Sequence, residues 1–256
     1  MEVFKKLRIF NNNTIKLLAA AFMFIDHLGL LFFPSVMWLR GIGRLAMPLF
    51  AFAISEGCRY TKNKARYLIM LLGLGVLCQI VYSIVDPTTV YLGILITFSL
   101  SVILIYAMQY AKKQLFNSDT KTWKKVFSVC LFLTLLAGVL LFCRIFTVDY
   151  DIYGCLMPVF ASLLDFHHIP APDRWKKCDT VPLRALCMLA PISLLIYHMA
   201  WEFFGAFSLL TFGAVFLLLF YNGERGKRRM KYFFYIFYPL HLGIFGGLQM
   251  LLSMMS

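Results

Sequence analysis

Apolar runs of membrane-spanning length recur from one end of the chain to the other, and a chain built this way folds with most of its surface in lipid. A helix needs about 20 apolar residues to cross the hydrocarbon core of a bilayer. Nine segments approach or meet that length, at residues 15–34, 37–57, 67–85, 90–111, 126–146, 152–165, 183–200, 203–221 and 232–253. The sixth is short, and reads as tilted, half-inserted or extended into its neighbours. Within hydrocarbon every backbone N–H and C=O must be satisfied by the chain itself, so spans of this kind are helices. The composition agrees: 61% of residues are hydrophobic and only 14% charged, whereas soluble domains are nearer half apolar and a quarter charged. The fold class expected is all-α: a polytopic integral membrane protein with about nine transmembrane helices, in one domain covering residues 1–256. The first run, Ile15 to Phe33, reads as a span and not a signal peptide, because no small-residue cleavage site follows it.

The charge on the chain is a topology signal. All but Arg40, Arg44 and Arg144 of the 25 lysines and arginines fall at or beside every second connection. Those connections precede the first span, follow the second, fourth and sixth, and precede the ninth. The alternate connections hold Asp86, Asp149, Asp151 and Glu202. Cytoplasmic loops carry the excess of Lys and Arg, which puts the N-terminus in the cytoplasm. The formal charge of +13 therefore marks orientation and attraction to anionic lipid, and nucleic acid is not expected as a partner.

Ionisable groups inside the apolar runs are the candidates for chemistry. Asp26 and His27 stand in the first run, Arg40 and Arg44 in the second. One charged side chain at helix centre costs about 2.5–3.5 kcal/mol on insertion scales, so such residues pair with one another and mark pathways or sites. On a continuous helix Arg40, Arg44, Met47, Ala51 and Ser55 share one stripe. Pro48 lacks an N–H, which frees the Arg44 carbonyl, and Pro239 does the same for Tyr235 one turn before His241. His27 has the side chain suited to acid–base work near neutral pH, and His241 is the second candidate. Asp26 lies about 100° around the helix from His27, so it pairs with Arg40 or Arg44 and does not orient its neighbour's ring. His198 reads as a structural histidine. The seven cysteines include no C-x-x-C pair, and His167–His168 reads as a solvated loop, so no metal site is expected. No internal repeat is visible, which weakens an inverted-repeat transporter.

Four blocks in order, IDHLG, GRLAMPLFAFAISEGCRYTKNKARYL, DYDIYG and YNGERGKRRMKYFFYIFYPLHL, resemble the TraX family, membrane proteins related to the F-pilin acetylation protein. The resemblance covers nearly the whole chain. Where the family usually has a glycine after the DY of the third block, this chain has Asp151, while Gly154 is retained. The first two blocks are also similar to the wider transmembrane acyltransferase superfamily. There a histidine late in the first conserved helix is the catalytic centre, and an R-x-x-x-P-L-F segment lines its pocket. His27 matches the first, and Arg44, Pro48, Leu49 and Phe50 match the second.

The resemblance implies acetyl-CoA as acyl donor from the cytoplasm, without a metal. The acceptor would be an amine or hydroxyl at the outer face, such as a pilin or peptide N-terminus or an envelope glycan. It places the chain in the bacterial cytoplasmic membrane. His27 would be the general base, with Arg44 or Arg40 steadying the oxyanion. Arg59, Lys62, Lys64 and Arg66, followed by Arg228 and Arg229, would face the phosphates of CoA. Two rivals stand beside this expectation: a proton-coupled transporter using the same buried ions, and a non-catalytic envelope or pilus assembly factor.

Overall fold

The computed structural model describes residues 8–85, 91–226 and 230–255. Among them no strand forms; two isolated bridges, Phe10–Tyr221 and Leu92–Val148, are the extended pairings. The helices in chain order are α1 (Asn12–Leu31), α2 (Met37–Gly43), α3 (Ala46–Tyr60), α4 (Lys64–Val85), α5 (Ile94–Phe116), α6 (Thr122–Ile145) and α7 (Asp151–Ala161). They continue with α8 (Asp173–Lys176), α9 (Val181–Cys187), α10 (Leu189–Leu195), α11 (Trp201–Phe204), α12 (Gly213–Leu219) and α13 (Lys231–Met255). A π turn (Ile196–Ala200) precedes α11 and a 3₁₀ stretch (Gly205–Phe212) follows it.

Six stretches are long and apolar enough to cross a membrane: Asn12–Leu31, Met37–Tyr60, Lys64–Ile84, Ile94–Phe116, Thr122–Ile145 and Val181–His198. The other three expected spans fall on shorter apolar stretches, Asp151–Ala161, Gly205–Leu219 and Phe233–Leu248. Length and composition thus make six of the nine expected segments candidate spans. The sixth segment is short for a visible reason. Cys155, Met157, Val159 and Ala161 of α7 are buried in the core, so α7 is surrounded by protein and has no lipid thickness to match.

Proline and glycine account for the interruptions. Pro191 removes the donor that the carbonyl of Cys187 would need, and α9 stops there before α10 resumes at Leu189. The second segment is not one helix kinked at Pro48. It is α2 and α3 joined by a turn at Arg44–Leu45, with Pro48 in the first turn of α3, where its missing N–H costs little. The eight-residue 3₁₀ stretch begins at Gly205, whose φ of +51° suits glycine.

The core is built from α3, α5 and α7, with Leu49, Ala51, Phe52, Val102, Leu104, Ile105 and Cys155 all buried. In contrast α4 and α6 keep Ile69, Ile84, Phe127 and Leu141 exposed, as helices facing lipid do. The basic connections gather at one end of the bundle. There Phe10 N–H donates to the Phe220 carbonyl at 3.0 Å and Asn12 N–H to the Glu224 carbonyl at 2.8 Å. At the same end Lys64 Nζ donates to Gln109 at 2.9 Å and Lys112 Nζ to the Ser162 carbonyl at 2.9 Å. At the opposite end Leu92 N–H reaches the Thr147 carbonyl, and Asp149 N–H the Leu92 carbonyl, each at 2.9 Å.

Candidate functional site

Asp26, Arg40 and Arg44 come together at the end of the bundle away from the basic connections. Arg44 Nη2 donates to both carboxylate oxygens of Asp26, at 3.1 and 3.0 Å. Arg40 Nη1 donates to Asp26 Oδ2 at 3.2 Å and to the Asp26 carbonyl at 3.3 Å. The three side chains keep 13–14% of their surface exposed. One carboxylate therefore holds two guanidinium groups. Phe204 lies under both, 5.3 Å from Arg40 and 4.7 Å from Arg44, a cation–π seat that steadies cations kept from water.

The close approach of α1 and α2 depends on Gly43. A Cβ there would stand 2.4 Å from Asp26 Cβ and 2.6 Å from its Cα and Oδ1. Gly43→Ala is expected to push α2 off Asp26 and to destabilise the protein by about 1–3 kcal/mol, the usual cost of overpacking. Gly73 has open space around it, so Gly73→Ala should leave stability unchanged or slightly higher. Thermal unfolding of the two variants side by side checks this.

Tyr150 enters the same cluster from the turn before α7, its hydroxyl accepting from Arg44 Nη1 at 3.0 Å. Tyr150 and Asp151 adopt φ of +59° and +49°. Two consecutive non-glycine residues in the left-handed region carry strain, which collects where a side chain must be aimed. The second is the position where the resembling family usually has glycine. Asp tolerates this conformation better than most residues, and Asp151 Oδ1 accepts from Ile152 N–H at 2.7 Å. Just before the turn, Tyr91 donates to the Asp149 carboxylate, and Thr97 Oγ1 donates to the Asp149 carbonyl at 3.0 Å. Burial pushes the Asp149 carboxyl up from its ordinary range, while Tyr91, Arg44 and His27 pull it down.

His27 and His241 meet beside this cluster, edge to face with ring centroids 5.1 Å apart. Each ring makes one bond of the same kind. His27 Nδ1 lies 2.8 Å from the Met23 carbonyl and His241 Nδ1 3.0 Å from the Phe237 carbonyl. A carbonyl can only accept, so both Nδ1 atoms carry protons, and Nε2 is the nitrogen each ring has left for another partner. His241 Nε2 and Arg44 Nε are buried with no hydrogen-bond partner among the described residues. Arg59 Nε and Tyr106 Oη are open in the same way, and what singles out the first two is their place next to the ion cluster and the paired rings. Phe245 stacks on His27 with centroids 6.1 Å apart and closes the other side. His198 stands apart, stacked on Tyr153 at 5.5 Å.

The basic residues expected to face phosphates lie at the other end. Lys62, Lys64 and Arg66 are exposed, whereas Arg59 is paired, its Nη1 donating to Asp165 at 2.9 Å and also to Asp179. Arg228 and Arg229 lie outside the described residues. A second ion pair there was not among the candidates from sequence. Glu56 and Arg184, each 2% exposed, are 2.6 Å apart. Arg184 also donates to Ser55 and to the Ala161 carbonyl, each at 3.0 Å, and Tyr221 donates to Glu56 at 2.7 Å. Arg184, counted from sequence among the loop cations, is thus a buried strut between α9 and α3. No three His, Cys, Asp or Glu side chains converge as a metal cage among the described residues.

Comparison with known proteins gives three findings. The family model described as TraX protein matches residues 11–249. The chain is 28% identical over 260 residues to the probable fimbrial assembly protein FimC, serogroup H1, of Dichelobacter nodosus, covering 93% of this chain and 96% of that protein. It is 38% identical over 92 residues to an uncharacterized protein of Rickettsia prowazekii (strain Madrid E), covering 36% of this chain and 35% of that protein. No solved structure matches.

Proposed function

The chain belongs to the TraX family, and on that premise we propose that it is an integral membrane acetyltransferase. It moves an acetyl group from cytoplasmic acetyl-CoA to an amine or hydroxyl at the outer face of the bacterial cytoplasmic membrane. The acceptor is a pilin or peptide N-terminus or an envelope glycan. The observation that carries the reading is the ring contact of His27 with His241 next to the Asp26–Arg44 pair, with His241 Nε2 and Arg44 Nε buried and unbonded among the described residues. The orientation, with a cytoplasmic N-terminus and nine crossings, rests on the alternation of basic connections.

Bound acetyl-CoA would supply an activated carbonyl and a sulfur leaving group. His27 accepts at Nε2 the proton that the attacking amine or hydroxyl gives up, and hands it to the sulfur as the carbon–sulfur bond breaks. His241 Nε2 holds the acceptor by a second N–H or O–H. Arg44 donates from Nε to the carbonyl oxygen as its negative charge grows, and Asp26 fixes the guanidinium in place so that little reorganisation is needed. At the inner end, exposed Lys62, Lys64 and Arg66 suit the phosphates. Arg59 suits them less, because Asp165 and Asp179 already share its charge. Arg228 and Arg229 belong to this set by sequence position alone.

The test is to supply radiolabelled acetyl-CoA to sealed vesicles of each orientation. Label is expected in a non-CoA acceptor only when the cytoplasmic face is reached. The name of the Dichelobacter relative favours one second reading, a non-catalytic fimbrial assembly factor whose ion cluster locks helices. Labelling no greater than in membranes lacking the protein would leave that reading standing and sink the transferase.

A further inference from the structure

A groove of about 370 Å³ runs between α1 and α13, below the histidine pair and open toward the lipid. Its floor is made by Ala20 and Ala21, and its walls by Phe24 on one helix and Phe233 and Phe237 on the other. The two small residues are what make it a slot, since larger side chains there would meet the phenylalanine rings. The lining is almost wholly apolar, and an apolar slot rejects amides and ions that find no partner.

The inner end of the slot is different. Lys16 lies one position before Leu17, the first residue of the lining, with its Nζ 5.9 Å from the Phe234 ring. It makes no salt bridge among the described residues. Arg225 and Glu56 are near enough to act on its charge, but Glu56 is already bonded to Arg184 and Tyr221. Lys16 and Arg225 thus stand as two like charges near one another at this end of α1. Lys16, Ala20, Phe24 and His27 follow steps of four, four and three, and so share one face of α1. From Lys16 to His27 the helix rises about 16 Å at 1.5 Å per residue.

We infer that this slot binds an anionic phospholipid of the inner leaflet. Its phosphate rests on Lys16 and Arg225, and one acyl chain lies over Ala20 and Ala21 and ends beneath His27 and His241. Charge complementarity at the mouth selects the headgroup, and the apolar floor selects hydrocarbon over any amide-bearing chain. The seated chain also keeps lipid-side water from the two histidines and holds α13 against α1.

The experiment is native mass spectrometry of the full chain released from vesicles of equal phosphatidylglycerol and phosphatidylcholine. Wild type is expected to retain phosphatidylglycerol in preference. Lys16→Gln should lower that preference roughly fivefold, the worth of about one basic residue near an anionic surface, and Lys16→Arg should keep it. Ala21→Phe, a change at an exposed position that fills the slot, should lose retention of both lipids. Lys121→Gln, at an exposed lysine elsewhere on the basic end, serves as the control and should change nothing. Equal retention of the two lipids by wild type, or an unchanged preference in Lys16→Gln, overturns the inference. Undiminished retention by Ala21→Phe overturns it as well. None of these readouts depends on acetyl transfer, so the transferase reading stands or falls separately.

Discussion

Glu56→Ala is expected to destabilise the protein by about 3–5 kcal/mol, the range seen when one partner of a buried ion pair is removed. The carboxylate accepts from Arg184 at 2.6 Å and from Tyr221 at 2.7 Å. Its loss strands a guanidinium that is 2% exposed, against the Phe52 ring at 5.2 Å and with no route to water. Arg184→Ala should cost about as much, since it strands the carboxylate instead. The pair itself is not indispensable: Glu56→Leu combined with Arg184→Met, which removes both charges and keeps the volume, should regain most of the loss. Unfolding midpoints in detergent for the two single variants and the double variant form a cycle that separates these contributions. Two single variants that each lose less than about 1 kcal/mol would mean that water reaches the pair, and the strut between α9 and α3 would be no strut.

Asp26, Arg40 and Arg44 were legible in the sequence because charges inside apolar runs are too costly to stand unpaired. The structure pairs all three. Glu56 carried the same signal, a carboxylate in the run AFAISEG, but its partner Arg184 sits at the edge of a connection and reads there as topology charge. Position along the chain cannot tell a buried cation at a helix start from one facing water. Tyr150 and Asp149 were hidden for another reason. Their contribution rests on a left-handed turn at Tyr150 and Asp151, and neither residue type announces that conformation as glycine does. The break between α2 and α3 shows how a local rule fails. Pro48 disfavours the preceding turn, and the chain responds by ending α2 at Gly43 and restarting at Ala46, which turns Arg44 toward Asp26 and Tyr150 together. The meeting of His27 with His241 joins residues far apart in the chain through the packing of α13 across α1, and periodicity within one helix carries no trace of it.

His27→Gln is expected to lower acetyl transfer by about 10²–10⁴-fold, the usual worth of a general base. Folding and binding of CoA should stay near wild type. Glutamine has similar reach, and can bond the Met23 carbonyl from its amide nitrogen, but it takes up no proton near neutral pH. The basic residues proposed to hold the phosphates of CoA lie at the opposite end of the bundle, so on that reading their binding does not pass through the imidazole. Asp26, Arg40 and Arg44 keep their own bonds in this variant, because none of them bonds the His27 ring. A structural role for the ring predicts the opposite pattern, in which stability falls and transfer follows it in step. The deciding quantity is therefore the rate of acetyl transfer per molecule of folded, CoA-binding His27→Gln protein. A rate at or below about one hundredth of wild type is what general-base catalysis by His27 predicts, and a rate above about one tenth contradicts it.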